Sequence, residues 1–136
     1  MKAVFADTSY WIASLSPNDD LHGIALEVSK RLGSVRIYTS DSVLVELMNF
    51  FGERGAASRQ LAHQMVIEIM GDNNITVISQ TRDLFLRGVE LYAKRRDKGY
   101  SLTDCISMEI MTEHGISECL TGDHHFEQAG FVRLLK

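Results

Sequence analysis

Apolar residues along this chain fall into short unbroken runs, alternating with longer segments in which they recur every three or four positions. The runs read as buried strands and the spaced segments as helices. Strands are expected at residues 2–6, 35–39, 75–79, 119–121 and 131–135. Helices are expected at 8–15, 21–32, 41–53, 57–70, 82–96 and 103–113. Ser40 or Asp41 caps the third helix, and Gly33 stops the second. Ser16-Pro17-Asn18-Asp19-Asp20 and Gly71-Asp72-Asn73-Asn74 carry turn chemistry. Leu61, Met65 and Ile69 mark one face of the fourth helix; Phe85, Val89 and Tyr92 mark one face of the fifth.

Strands alternating with helices imply an α/β fold, a three-layer α/β/α sandwich around a mostly parallel sheet of about five strands. Strand order stays open, because two helices separate the third strand from the fourth. A length of 136 residues suits a single domain, residues 1–136. With 45% apolar and 24% charged residues, a disordered tail, a collagen-like chain and a disulfide scaffold are excluded. Cys105 and Cys119 form no CxxC pair and read as buried free thiols, which suits a reducing cytoplasm. Asp7 breaks the first apolar run too early for a signal peptide. The longest apolar stretch, 43–51, contains Glu46 and Asn49 and falls short of the roughly 20 residues of a bilayer span. A soluble, cytoplasmic protein with no membrane contact is expected.

Net charge is −4, from 18 acids against 14 bases, which alone argues against a nucleic-acid partner. The placement of the acids changes that picture. In open α/β sheets, ligands bind beyond the C-terminal ends of the strands. Asp7 follows the first strand directly and Asp123 follows the fourth within two residues. Helices that run back along the sheet begin at the same edge, with Glu46 early in the third and Asp104 opening the sixth. Each acid has a plainer role available. Asp7 suits a helix cap, Asp104 a capping box with Ser101, Glu46 a polar stripe with Ser42, Asn49 and Glu53, and Asp123 a turn after Gly122. Four of them at one edge point to a bound cation, since clustered carboxylates otherwise raise one another's pKa. Oxygen donors suit Mg²⁺. His22, His63, His114, His124 and His125 show no zinc-finger spacing. Two Mg²⁺ ions would offset the negative charge and remove the objection to a phosphate ligand.

Asp7-Thr8-Ser9 after the first strand, Glu46 in an apolar helix, Ser101-Leu102-Thr103-Asp104-Cys105 opening a helix, and Thr121-Gly122-Asp123-His124-His125-Phe126 together resemble the PIN-domain nucleases. Order and spacing match along almost the whole chain. The resemblance implies a metal-dependent endoribonuclease; many small prokaryotic members are VapC-type toxins neutralised by an antitoxin protein. It implies that Asp7, Glu46, Asp104 and Asp123 are catalytic and hold one or two Mg²⁺ or Mn²⁺ ions, with Ser9 and Thr121 as supporting hydroxyls. Metal-activated water would then hydrolyse RNA to a 5′-phosphate and a 3′-hydroxyl. A homodimer is also implied. Some members carry a further acid two residues after the last aspartate; this chain has His125 there, which leaves the number of ions open.

Signals around these acids are less specific. Six of the 14 basic residues fall within 82–98. Among them Lys94, Arg95, Arg96 and Lys98 either guide RNA phosphates or complement a helix C-terminus. His22 reads as a surface residue and Trp11, Phe50 and Phe51 as core. Met65, Met70, Met108 and Met111 also read as core, with a groove for a partner helix as the other option. Haloacid-dehalogenase-like phosphatases carry an acid where this chain has Ser9. The remaining rival is a catalytically silent PIN-like module that holds RNA or protein without cutting.

Overall fold

The computed structural model describes residues 1–136. Its five strands are β1 (Ala3–Ala6), β2 (Arg36–Ser40), β3 (Ile75–Ile78), β4 (Glu118–Leu120) and β5 (Val132–Arg133). The helices between them are α1 (Thr8–Leu15), α2 (His22–Leu32), α3 (Asp41–Gly52), α4 (Ala56–Gly71), α5 (Arg82–Lys94), α6 (Leu102–Glu113) and α7 (His124–Gln128). All strands are parallel, in the order β3-β2-β1-β4-β5, and helices on both faces complete the three layers. A central parallel strand must be apolar on both sides, and in β1 Val4, Phe5 and Ala6 are fully buried. Phe5 is in register with Tyr38 of β2 and Cys119 of β4. The chain leaving β1 therefore emerges between the ends of its two neighbours, where the Asp7 amide donates to the Leu120 carbonyl at 3.1 Å.

Short polar side chains start the helices that matter for this edge. Ser40 Oγ accepts the Val43 amide (3.2 Å) at α3, and Thr81 Oγ1 accepts the Leu84 amide (3.1 Å) at α5. At α6 Ser101 and Asp104 form a reciprocal capping box. Gly33, at a φ of 63°, ends α2 in a conformation other residues avoid.

Two helix faces differ from the expected ones. Helix α4 buries Ala62, Val66 and Ile69, whereas Leu61 and Met70 are exposed. Helix α5 turns Leu84 and Gly88 inward and leaves Val89 and Tyr92 in solvent. The cause is a close approach of α5 to α6: a Cβ on Gly88 would stand 2.5 Å from Ile106 Cγ1. Apolar periodicity counts side chains, so a contact made by a missing one is invisible to it. Helix α7 is an element the pattern did not show, and β5 keeps only two of the five expected residues.

Both cysteines are free and buried. Burial pushes the Cys105 thiol up to about 11 and the Cys119 thiol well above its usual range, so both stay protonated and inert near neutrality. No helix is long and apolar enough to cross a membrane.

Candidate active site

At the C-terminal edge of the sheet a pocket of about 370 Å³ opens, and Asp7, Glu46, Asp104 and Asp123 all line it. Asp7 holds the N-cap position of α1, yet its carboxylate caps nothing. It accepts the Thr121 hydroxyl at 2.8 Å and the Ser9 hydroxyl at 3.4 Å. The same two hydroxyls are themselves anchored: Thr121 Oγ1 accepts the Asp123 amide (3.0 Å) and Ser9 Oγ accepts the Gly122 amide (3.1 Å). One small network thus ties the end of β1 to the turn after β4.

Asp104 fills its capping role and lines the pocket as well. Its Oδ2 accepts the Ser101 amide at 3.1 Å, which fixes the carboxylate at the start of α6. Asp123 caps α7 by accepting the His125 amide at 2.9 Å. His125 Nδ1 lies between the two acids, 3.3 Å from Asp104 and 3.2 Å from Asp123, without a well-directed hydrogen bond to either. Glu46 sits on α3 with an exposed side chain and lines the same pocket.

Electrostatics separate Asp7 from an ordinary surface acid. It is almost fully buried, and burial, aided by the charges of Asp104 and Glu46, raises its pKa to about 7 against the opposing hydrogen bond from Thr121. Burial and the nearby Asp123 also raise Asp104, while the Ser101 amide and His125 oppose them. No lysine or arginine lines the pocket. Buried and clustered carboxylates with no internal cation form an oxygen donor set that fits a hard divalent ion. The tightest potential ligand group is a different one: Asp123, His124 and His125 present atoms all within 4.8 Å of one another. A search for separated zinc-ligand spacings passes over it, because the start of α7 brings adjacent side chains together.

The other sequence candidates divide. Trp11 is core, donating from Nε1 to Thr39 Oγ1, and Phe51 is buried. Phe50 is only half-buried and lines the pocket, along with Ile12, Gly99 and Ser101. His22 is tied down by Nδ1, 2.6 Å from the Ala13 carbonyl oxygen. Met108 and Met111 are core. Lys94, Arg95, Arg96 and Lys98 lie outside the acid pocket, the last three along an adjoining groove.

Comparison with known proteins adds four findings. Residues 4–132 match the family described as PIN domain. The 23S rRNA-specific endonuclease VapC20 of Mycobacterium tuberculosis is 28% identical over 137 residues, covering 96% of this chain and 97% of that protein. A crystal structure of M. tuberculosis VapC20, described as a Sarcin-Ricin loop cleaving toxin, superposes with a TM-score of 0.88 at 27% identity, over 98% of this chain and 99% of that one. FitAcB from Neisseria gonorrhoeae shares the fold, with a TM-score of 0.68 at 15% identity over 98% and 96% of the two chains.

Proposed function

Because this chain belongs to the PIN domain family, we propose that it is a single-domain endoribonuclease and the toxin of a toxin–antitoxin pair. The observation that carries this reading is the Asp7 carboxylate, buried beside Asp104 and Glu46 in a pocket that no lysine or arginine enters. A carboxylate in that setting is charged at low cost only when a cation arrives from outside. Asp7, Glu46, Asp104 and Asp123 would hold Mg²⁺ or Mn²⁺. Such an ion supplies a water of lowered pKa and neutralises charge on the phosphate and the leaving oxygen.

The chain's own residues orient and enclose. Thr121 and Ser9 aim Asp7, and the Ser101 amide holds Asp104. His125 Nδ1 stands between Asp104 and Asp123, within 3.3 Å of both. Glu46, the most exposed of the four, completes the acid set from α3. Ile12 and Phe50 give the pocket an apolar wall that limits bulk water. Cleavage would leave a 5′-phosphate and a 3′-hydroxyl. Exposed Val45 and Met48 on α3 and Leu61, Ile67 and Met70 on α4 suit cover by a protein, an antitoxin or a second copy. Buried free thiols suit a reducing cytoplasm.

The test is cleavage of end-labelled RNA with Mg²⁺, Mn²⁺ or EDTA. A hairpin copied from the sarcin–ricin loop of 23S rRNA is the first substrate to try, next to unstructured RNA. Cutting is expected with either ion and not in EDTA. No cutting by folded, metal-loaded protein on any RNA would favour the silent binding module. Cutting that survives EDTA would overturn the mechanism.

Thr121 gives a second test. Thr121→Val keeps the shape but leaves the Asp123 amide without its acceptor and Asp7 Oδ2 with only the longer Ser9 bond. The expected cost is about 2 kcal/mol of stability. Cleavage should fall roughly 10–100-fold, the usual toll of losing a group that orients a metal ligand. Thr121→Ser should restore most of both, read by thermal melting and by initial cleavage rates.

A further inference from the structure

Gly99 is common to three cavities. It lines the acid pocket, a groove of about 650 Å³ with Val89, Tyr92 and Tyr100, and a groove of about 630 Å³ with Arg95, Arg96 and Lys98. Tyr92 and Tyr100 line both outer grooves, and at Gly99, where all three cavities meet, the wall has no side chain. A Cβ added at Gly99 would stand 3.4 Å from His125 Nε2, at the edge of the acid pocket. The Gly99 backbone is not in the left-handed region, so glycine is not demanded there by φ.

The groove has the chemistry of two parts of a nucleotide, the base and the phosphates. Tyr92, in the last turn of α5, is 55% exposed, a large aromatic residue that does not pack against the core. Arg95, Arg96 and Lys98 line the groove with no acid among them. Lys94 pairs with Glu90, and Arg95 and Lys98 share Asp97, which leaves Arg96 as the one cation of residues 94–98 outside an ion pair. Tyr100 is nine-tenths buried, and its hydroxyl has no hydrogen-bond partner in the protein.

We propose that this groove is a nucleotide subsite, in which one unpaired base of a bound RNA stacks on Tyr92, its phosphates lie along Arg96 and Lys98, and the strand crosses Gly99 into the acid pocket. The proposal rests on the ribonuclease reading of the same site. Charge favours RNA over a protein partner here, because every charged residue lining the groove is a cation and the groove meets, at Gly99, the pocket that would receive a phosphodiester. Base stacking on an aromatic ring is tolerant of sequence, so the subsite adds affinity for single-stranded RNA without selecting one base.

The test measures fluorescence anisotropy of labelled single-stranded RNA on the Asp104→Asn protein with Mg²⁺, and cleavage on the protein with Asp104 intact. Tyr92→Ala should weaken binding about tenfold and Tyr92→Phe should not, as expected for a stacked base. Arg96→Ala should lower the slope of log affinity against log salt by about one. Gly99→Val should weaken RNA binding while Mn²⁺ binding, followed by electron paramagnetic resonance, is retained. RNA carrying 5-iodouridine should photocrosslink to Tyr92. All three positions are exposed, so melting temperatures should stay close to that of the unmodified chain. If the unmodified chain neither binds nor cuts RNA, the ribonuclease reading itself fails and the subsite with it. If it cuts, and Tyr92→Ala and Arg96→Ala cut and bind equally well, the subsite alone is overturned. Loss of self-association in Tyr92→Ala at unchanged RNA affinity would reassign the face to a second copy of the chain.

Discussion

The Asp7→Asn protein should melt above the unmodified protein in EDTA at pH 7.5, and should cut RNA more than about 100-fold more slowly, beyond the usual loss for an orienting residue. Burial, with Asp104 and Glu46, lifts the Asp7 pKa from 3.8 to about 7 in the folded state. Below pH 4 the folded and unfolded chains both carry the proton, and the site costs nothing. Between about pH 4 and 7 only the unfolded chain ionises, so the folded state loses stability as pH rises. For a shift of about three units that loss reaches up to about 4 kcal/mol, complete above pH 7. Asparagine has no charge to desolvate, and its carbonyl oxygen still accepts the Thr121 hydroxyl. The gap between the two proteins should therefore be small at pH 4 and widest above pH 7. Mn²⁺ should raise the melting temperature of the unmodified protein more than that of the variant. A variant that melts lower at pH 7.5, or that cuts at the normal rate, would remove Asp7 from the proposed role.

Asp104 is the sharper case, because the structure gives it two tasks. Its Oδ2 completes the capping box of α6, and its carboxylate lines the acid pocket. Asp104→Asn preserves the first, since an amide oxygen can accept the Ser101 N–H, and removes the charge needed for the second. Cleavage should fall more than about 100-fold with a melting temperature at or above that of the unmodified protein near neutral pH, because burial raises the Asp104 pKa as well. Ser101→Ala does the converse. It deletes the hydroxyl that accepts the Asp104 amide, at a cost of about 1 kcal/mol, and leaves every acid in place. Its cleavage should drop by less than about tenfold, because Asp104 loses one restraint and keeps its charge. Stability and cleavage should thus separate in opposite directions across the pair. Parallel losses in both variants would leave Asp104 a helix cap and nothing more.

The strand edge was readable because strong rules apply there. A buried apolar run that stops at an acid, and helices that return along the sheet, place Asp7, Asp104 and Asp123 at one end whatever the strand order. The network behind Asp7 was accessible only through the resemblance, since nothing local pairs Ser9 with Thr121, which lie 112 positions apart. Elsewhere the pattern misled for identifiable reasons. Tyr92 and Val89 look like core at helical spacing, but Gly88 brings α6 so close that the contact face rotates away from them. Phe50 sits in a helix that is apolar most of the way round, so periodicity cannot tell its buried side from its pocket side. Gly99 has no side chain to suggest a role, and its position between cavities is purely spatial.

Because β1 is the central strand and pairs with both β2 and β4, the Asp7 carboxylate is provided early in synthesis and finished late. Its hydroxyl donor is Thr121, and the last acid, Asp123, follows the β4 that must first dock beside β1. N-terminal fragments, whether nascent or proteolytic, therefore contain Asp7 and Glu46 but have an unpaired β1 edge and no assembled pocket. Catalytic competence is then tied to the closing of a long-range contact, one of the slower events in folding a parallel sheet. The acid pocket is therefore complete only once residues beyond 120 have folded into place, so the site assembles in one late step rather than gradually along the chain.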